Sequence, residues 1–138
     1  MKIIGIDPGK QTGFALVENS KILIIETTDF WGAIDRLIEY QDAFVVIEKS
    51  VSTHVWHDGA TAKNAVLKTG FNVGTVLDKT DLMIEWLVRN NRRFLIKKPQ
   101  GKVSSAYFSK IVGYNKRTSQ HARDAAMLAL SVNPKQIK

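Results

Sequence analysis

Four side chains in this sequence have the types and settings to work on a phosphodiester through a hard cation. Asp7 closes the apolar run Ile3-Ile4-Gly5-Ile6, where Pro8-Gly9 turns the chain. Glu48 closes a second apolar run, Ala43 to Glu48 (AFVVIE). His121 and Asp124 stand three residues apart in a helical pattern, hence on one helix face. Carboxylates brought together raise one another's pKa and ionise comfortably only around a cation. Oxygen donors favour magnesium or manganese over zinc. Two such ions about 3.5–4 Å apart activate a water on one side of a phosphodiester and stabilise the leaving 3′-oxygen on the other. Each residue also has a plainer reading. An Asp before Pro-Gly is a turn former, and His121 with Asp124 could serve a helix start. Glu48 is harder to dismiss, because a carboxylate that completes a buried strand is costly unless used. Asp29, Asp35, Asp42, Asp58, Asp78, Asp81 and Glu85 fall at turns or on helix faces and read as solvated.

The elements that must position these groups follow from periodicity. Ile3–Asp7, Phe14–Val17 and Lys21–Thr27 read as three strands joined by tight turns, an antiparallel meander. Asp29 precedes a helical pattern through Ile34, Leu37 and Ile38 and is a plausible cap. Ala43–Glu48 is continuously apolar, as a strand buried on both faces should be. Lys49–Ala60 has no clean period and reads as an exposed loop containing His54, Trp56 and His57. Residues 61–91 read as a helix with an inner stripe of Val66, Leu67, Phe71, Val76, Leu77, Ile84 and Leu87. Arg92–Ile96 reads as a fifth strand, Val103–Val112 as a short helix, and Gln120–Val132 as a last helix capped by Thr118-Ser119. Small residues in that helix, Ala122, Ala125, Ala126 and Ala129, would let it pack close to the sheet. The pattern predicts a single α/β domain over residues 1–138, with helices on the faces of its sheet. If the fourth strand lies parallel beside the first, Asp7 and Glu48 emerge at one edge, where ligands bind such sheets.

Composition narrows the partner. The chain has 138 residues, no cysteine and a net charge of +7. Without cysteine, thiolate metal sites, disulfides and thiol nucleophiles are excluded. Residues 1–58 carry five Lys and Arg against nine Asp and Glu, a net of −4, whereas residues 59–138 carry fifteen against four, a net of +11. A basic half suits a polyanion, and an acidic half with strand-end carboxylates suits cations. The apolar run at the N-terminus is too short for a signal peptide and no stretch approaches a membrane span, so a soluble, cytoplasmic protein is expected, away from membranes.

Three motifs together, IIGIDPGKQTGFAL (Ile3–Leu16), FVVIEKS (Phe44–Ser50) and HARDAAMLAL (His121–Leu130), resemble those of the RuvC-type Holliday-junction resolvases of the ribonuclease H-like superfamily. Their order and spacing span nearly the whole chain. The resemblance implies a five-stranded mixed sheet in order 3-2-1-4-5 with helices on both faces, a symmetric homodimer, and Mg2+-dependent cleavage of four-way or branched DNA, Mn2+ substituting. The cuts would leave 5′-phosphate and 3′-hydroxyl ends. It makes Asp7, Glu48, His121 and Asp124 the metal ligands and catalytic residues, and it places Lys102 near the scissile phosphate, where Lys97 and Lys98 compete for the role. The basic side chains Lys98, Lys102, Lys110, Lys116, Arg117 and Arg123 are the expected DNA contacts.

The chain departs from the family pattern after the second acid. Bacterial members carry an aromatic residue there, and here Val51 stands in its place. Trp56, flanked by His54 and His57, is the expected substitute, stacking on or wedging apart junction bases; packing under a loop or at an interface is its other reading. Gly70 and Gly74 would let a second helix approach, making residues 61–91 the expected dimer interface. The compact chain and altered loop point to a phage-encoded or divergent member, in which case the location is the host cytoplasm and the nucleoid. A helicase partner is not legible. Other readings are a YqgF-like nuclease acting on structured RNA and a non-catalytic branched nucleic-acid-binding module. A phosphotransfer enzyme is a further one, because Asp-Pro-Gly-Lys-Gln-Thr-Gly resembles the phosphate loop of actin-like kinases, but 138 residues supply no second half to close over ATP.

Overall fold

A computed structural model describes residues 1–49 and 79–137. Strands β1 (Lys2–Asp7), β2 (Thr12–Glu18) and β3 (Lys21–Thr28) form the expected antiparallel meander. The β2–β3 turn places Asn19 and Ser20 at φ 50° and 62°. Two central residues in the left-handed region match the twist of the strands they join. Helix α1 (Phe30–Glu39) starts at Asp29, whose carboxylate accepts a hydrogen bond from the Gly32 N–H at 2.7 Å. Strand β4 (Phe44–Glu48) lies parallel to β1, and β5 (Phe94–Lys97) lies parallel to β4. The sheet has five strands in the order β3-β2-β1-β4-β5.

Between β4 and β5, residues 79–89 form helix α2. His54, Trp56, His57, Gly70 and Gly74 lie outside the described residues, as does the expected dimer interface as far as residue 78. Helices α3 (Ser105–Val112) and α4 (Gln120–Leu130) follow, then a single 3-10 turn, Pro134–Gln136. The fifth strand begins at Phe94, two residues later than its apolar pattern indicates. Asn91 turns left-handed at φ 51°, and the Arg92 N–H bonds back to the Leu87 carbonyl to close α2. The Arg92 side chain then turns inward and donates to the carbonyls of Leu37, Tyr40 and Ala43 at the α1–β4 connection.

Strand alternation sorts the sheet into two faces. Ile4, Ile6, Phe14, Leu16, Val45 and Ile47 pack with Ala33, Ile34 and Leu37 of α1 and with Met83 and Leu87 of α2. Each large side chain among them stabilises the fold by roughly 1.5–3 kcal/mol through removal from water. On the opposite face Ile3, Val17 and Val46 meet Leu128 and Ala129 of α4, and Ala15 meets Ala125, Ala126 and Phe108 of α3. Helices therefore cover both faces, and β4 has its three central residues, Val45, Val46 and Ile47, fully buried, as its apolar run requires.

Candidate metal centre

The same alternation aims the strand-end acids. Asp7 shares its parity with Ile3 and Gly5, and Glu48 shares its parity with Phe44 and Val46, so both belong to the α4 face. The parallel register, with Ile6 opposite Ile47, brings the two acids to adjacent strand ends. Helix α4 supplies the other two groups because it lies unusually close to the sheet. A Cβ built on Gly5 would overlap the Ala125 carbonyl oxygen, and one on Gly13 would overlap that of His121. Gly13, paired with Asp7 across the β1–β2 ladder, thus makes room for the backbone of α4. Ala122, Ala125, Ala126 and Ala129 are buried on the helix side, as their size indicates.

Two of the four groups touch directly, His121 Nδ1 standing 2.9 Å from Asp7 Oδ2. The Asp7 side chain is 10% exposed and the His121 side chain 48%, so the pair spans the boundary between core and solvent. Neither His121 nor Asp124 is needed to cap α4, because Ser119 does so, its hydroxyl accepting from the Ala122 N–H at 3.1 Å. Asp124 Oδ1 accepts from the Gln120 side-chain amide at 2.7 Å. Burial, with the Asp7 and Asp124 charges adding to it, pushes the Glu48 carboxyl up to about 7. Burial likewise raises Asp7, against the opposing hydrogen bond and charge of His121. Lys102 offsets part of the negative charge felt by both acids.

This donor set has the chemistry for a hard cation: oxygen-rich, one histidine, and more negative charge than the acids can hold at neutral pH without a counterion. It is not a closed cage. Among the described residues no three acid or histidine side chains stand together as a ready cation site. They are held in pairs instead, Asp7 with His121 and Asp124 with Gln120.

The lysines and arginines divide sharply. Lys102 is exposed, and its charge reaches Asp7 and Glu48. Lys97 is occupied elsewhere, its Nζ 2.8 Å from the Ser131 hydroxyl. Lys98, Lys110, Lys116 and Arg117 are exposed. Arg123 corrects the expectation of a DNA contact. It is 9% exposed, and its guanidinium donates to the carbonyls of Val103 and Thr118, the Thr118 hydroxyl and the Gln120 side-chain carbonyl. Its position in the basic half conceals an inward-facing side chain. Gln120 is invisible to sequence reasoning because an amide next to a helix cap carries no signal of its partner. Among the described residues no helix is long and apolar enough to cross a membrane.

No protein-family model matches the sequence, and no curated protein matches it significantly. The fold is nevertheless shared with solved structures. Thermus thermophilus RuvC in complex with a Holliday junction substrate superposes with a TM-score of 0.61 at 16% identity, over 94% of this chain and 91% of that one. A second Thermus thermophilus RuvC structure gives a TM-score of 0.54 at 17% identity, over 94% and 92%. Fowlpox virus resolvase, in complex with substrate Holliday junction DNA, gives 0.51 at 20% identity, over 95% of both chains. With the strand order and the helices on both faces, these likenesses establish a ribonuclease H-like α/β fold.

Proposed function

We propose that this chain is a RuvC-type nuclease that resolves four-way DNA junctions by paired phosphodiester hydrolysis. The observation that carries the reading is that Asp7, Glu48, His121 and Asp124 lie where β1 and β4 end beneath α4, near enough for the charges of the other three to act on Glu48. Their fold is that of proteins seen bound to Holliday junctions. Asp7, Glu48, Asp124 and His121 would hold Mg2+, as two ions, with Mn2+ substituting; the metal would supply activation of water and charge stabilisation at the leaving 3′-oxygen.

The chain's own groups do the rest. Lys102 holds the scissile phosphate near the acids and lowers the repulsion an incoming phosphodiester meets. His121, half in solvent and tied through Nδ1 to Asp7, keeps a fixed ring orientation, and its one remaining nitrogen serves either as the metal ligand or, where it is not coordinated, to pass a proton to or from water. Lys98, Lys110, Lys116 and Arg117 hold the DNA arms electrostatically, and Trp56 with His54 acts on unstacked bases at the junction. Cuts leave 5′-phosphate and 3′-hydroxyl ends, and two copies of the chain, as a homodimer, cut opposite strands. The setting is the cytoplasm and its DNA.

The test presents four-way junction, duplex, flap and single-stranded DNA and structured RNA with Mg2+ or Mn2+. Nicks paired symmetrically across the junction are expected, and Asp7→Asn should abolish them while junction binding survives. Preferential cutting of RNA would move the assignment to a ribosomal-RNA-type nuclease, and turnover by Asp7→Asn would remove the metal site from the mechanism. Size exclusion should give a dimer at micromolar concentration; a monomer alone counts against paired incision.

A further inference from the structure

We infer that Arg123 and Gln120 form a positioning relay that fixes the Asp124 carboxylate and ties it to the loop carrying Lys102. The inference rests on the nuclease reading above and deepens it. Arg123 is buried, and each of its three nitrogens donates: Nε to the Val103 carbonyl at 3.1 Å, Nη1 to the Thr118 carbonyl at 2.7 Å and the Thr118 hydroxyl at 3.1 Å, and Nη2 to Gln120 Oε1 at 3.0 Å. Gln120 Nε2 then donates to Asp124 Oδ1 at 2.7 Å and to the Val103 carbonyl at 3.4 Å.

The polarity of this chain of bonds is forced. A guanidinium only donates and an ionised carboxylate only accepts, so a glutamine between them can satisfy both in one amide orientation alone. Flipped, it would set NH2 against guanidinium and oxygen against carboxylate. Arg123 therefore selects the Gln120 orientation, and Gln120 occupies one Asp124 oxygen, leaving the other for a cation. Such partners behind a ligand orient it, and their loss typically costs about 10–100-fold in metal affinity.

The relay also spans three pieces of chain that the site needs in register. Val103 directly follows Lys102, Thr118 directly follows the basic Lys116-Arg117 pair, and Gln120 begins α4. A planar, five-donor guanidinium can hold these together; a lysine at the same place, a point charge with three donors, cannot reproduce the fork. Arg123 is thus bound to the catalytic apparatus without touching substrate.

The experiment measures Mn2+ binding by calorimetry on the full chain, alongside junction cleavage and thermal melting. The variants are Gln120→Leu, Arg123→Lys, their double mutant, and Asp124→Asn. Gln120→Leu is expected to weaken Mn2+ about tenfold with little change in melting temperature. Arg123→Lys should weaken it comparably, and the double mutant no more than either alone, since both break one relay. In the metal-free protein, the Gln120 side-chain amide resonance should be shifted and slow to exchange in the wild type and lose both properties in Arg123→Lys. Wild-type Mn2+ affinity in Gln120→Leu, with Asp124→Asn impaired, overturns the relay and leaves the nuclease reading standing. Additive losses in the double mutant, or an Arg123→Lys protein that melts at lower temperature but binds Mn2+ as the wild type does, reduce Arg123 to a structural clamp and overturn it too. A wild type that neither binds Mn2+ nor cuts junctions overturns both.

Discussion

Beneath α1 and α2 the sheet presents Ile4, Ile6, Phe14, Leu16, Val45 and Ile47, filling space with large side chains. Beneath α4 it presents Gly5, Gly13 and Ala15 against Ala122, Ala125 and Ala126, and space is taken up by backbone. The first face stores stability in volume. The second gives up side-chain burial to bring a helix close enough for His121 to reach Asp7. One sheet can thus separate holding the fold together from holding the chemistry in place, because neighbouring residues on a strand belong to different faces.

That division can be broken from either side. On the large-residue face, Leu37→Ala should destabilise the protein by about 2–5 kcal/mol. Cleavage by the folded fraction should be unchanged, with denaturant melts and initial rates measured on the same samples. On the small-residue face, Gly13→Ala should cost about 1–3 kcal/mol of stability, as overpacking does. It should also lower cleavage about a hundredfold, since displacement of a catalytic group by about 1 Å has that effect. Equal cleavage by Gly13→Ala and wild type would mean that the approach of α4 serves packing alone.

The faces also separate by pH. The Glu48 carboxyl titrates near 7 in the folded protein against an ordinary value of 4.5. Between those two values the unfolded chain ionises first. The metal-free protein should therefore lose stability as pH rises from about 4.5 to about 7, with no contribution from this group below that window and a constant penalty above it. Asp7 is raised as well and adds in the same direction. Melting in a chelator should show this slope, Glu48→Gln should flatten it, and Mg2+ should recover stability most strongly at the alkaline end. The smallest effect lies away from both faces: neutralising Lys116 or Arg117 should each lower the salt dependence of junction binding by about one ion. An unchanged slope would return both side chains to ordinary solvated surface.

The strands, and with them the strand-end positions of Asp7 and Glu48, were legible in the sequence for a physical reason, whereas the strand order followed from the family resemblance. Asp7 and Glu48 terminate runs whose burial is forced by hydrophobicity, so their positions are fixed by the same pattern that makes the strands. His121 and Asp124 were legible through helical spacing and the alanines beside them. What escaped was side-chain direction in the basic half. Arg123 and Lys116 look alike in a charge count, yet one is buried among carbonyls and the other is exposed. Lys97, Lys98 and Lys102 are likewise interchangeable in sequence, and only the fold shows that Ser131 holds Lys97. Long flexible cations take their partners from tertiary structure, which periodicity does not encode.

Arg92 sits at the end of the sheet remote from the acids, gathering the carbonyls of Leu37, Tyr40 and Ala43 just before β4 begins. A strand can slide past its neighbours only in whole residues, and each step turns every side chain over. Slipped by one, β4 would carry Ile47 to the place of Glu48 and leave the acid pointing into the apolar layer under α1. The arginine at the strand's entry ties down the connection that feeds a register on which the facing of the final carboxylate depends.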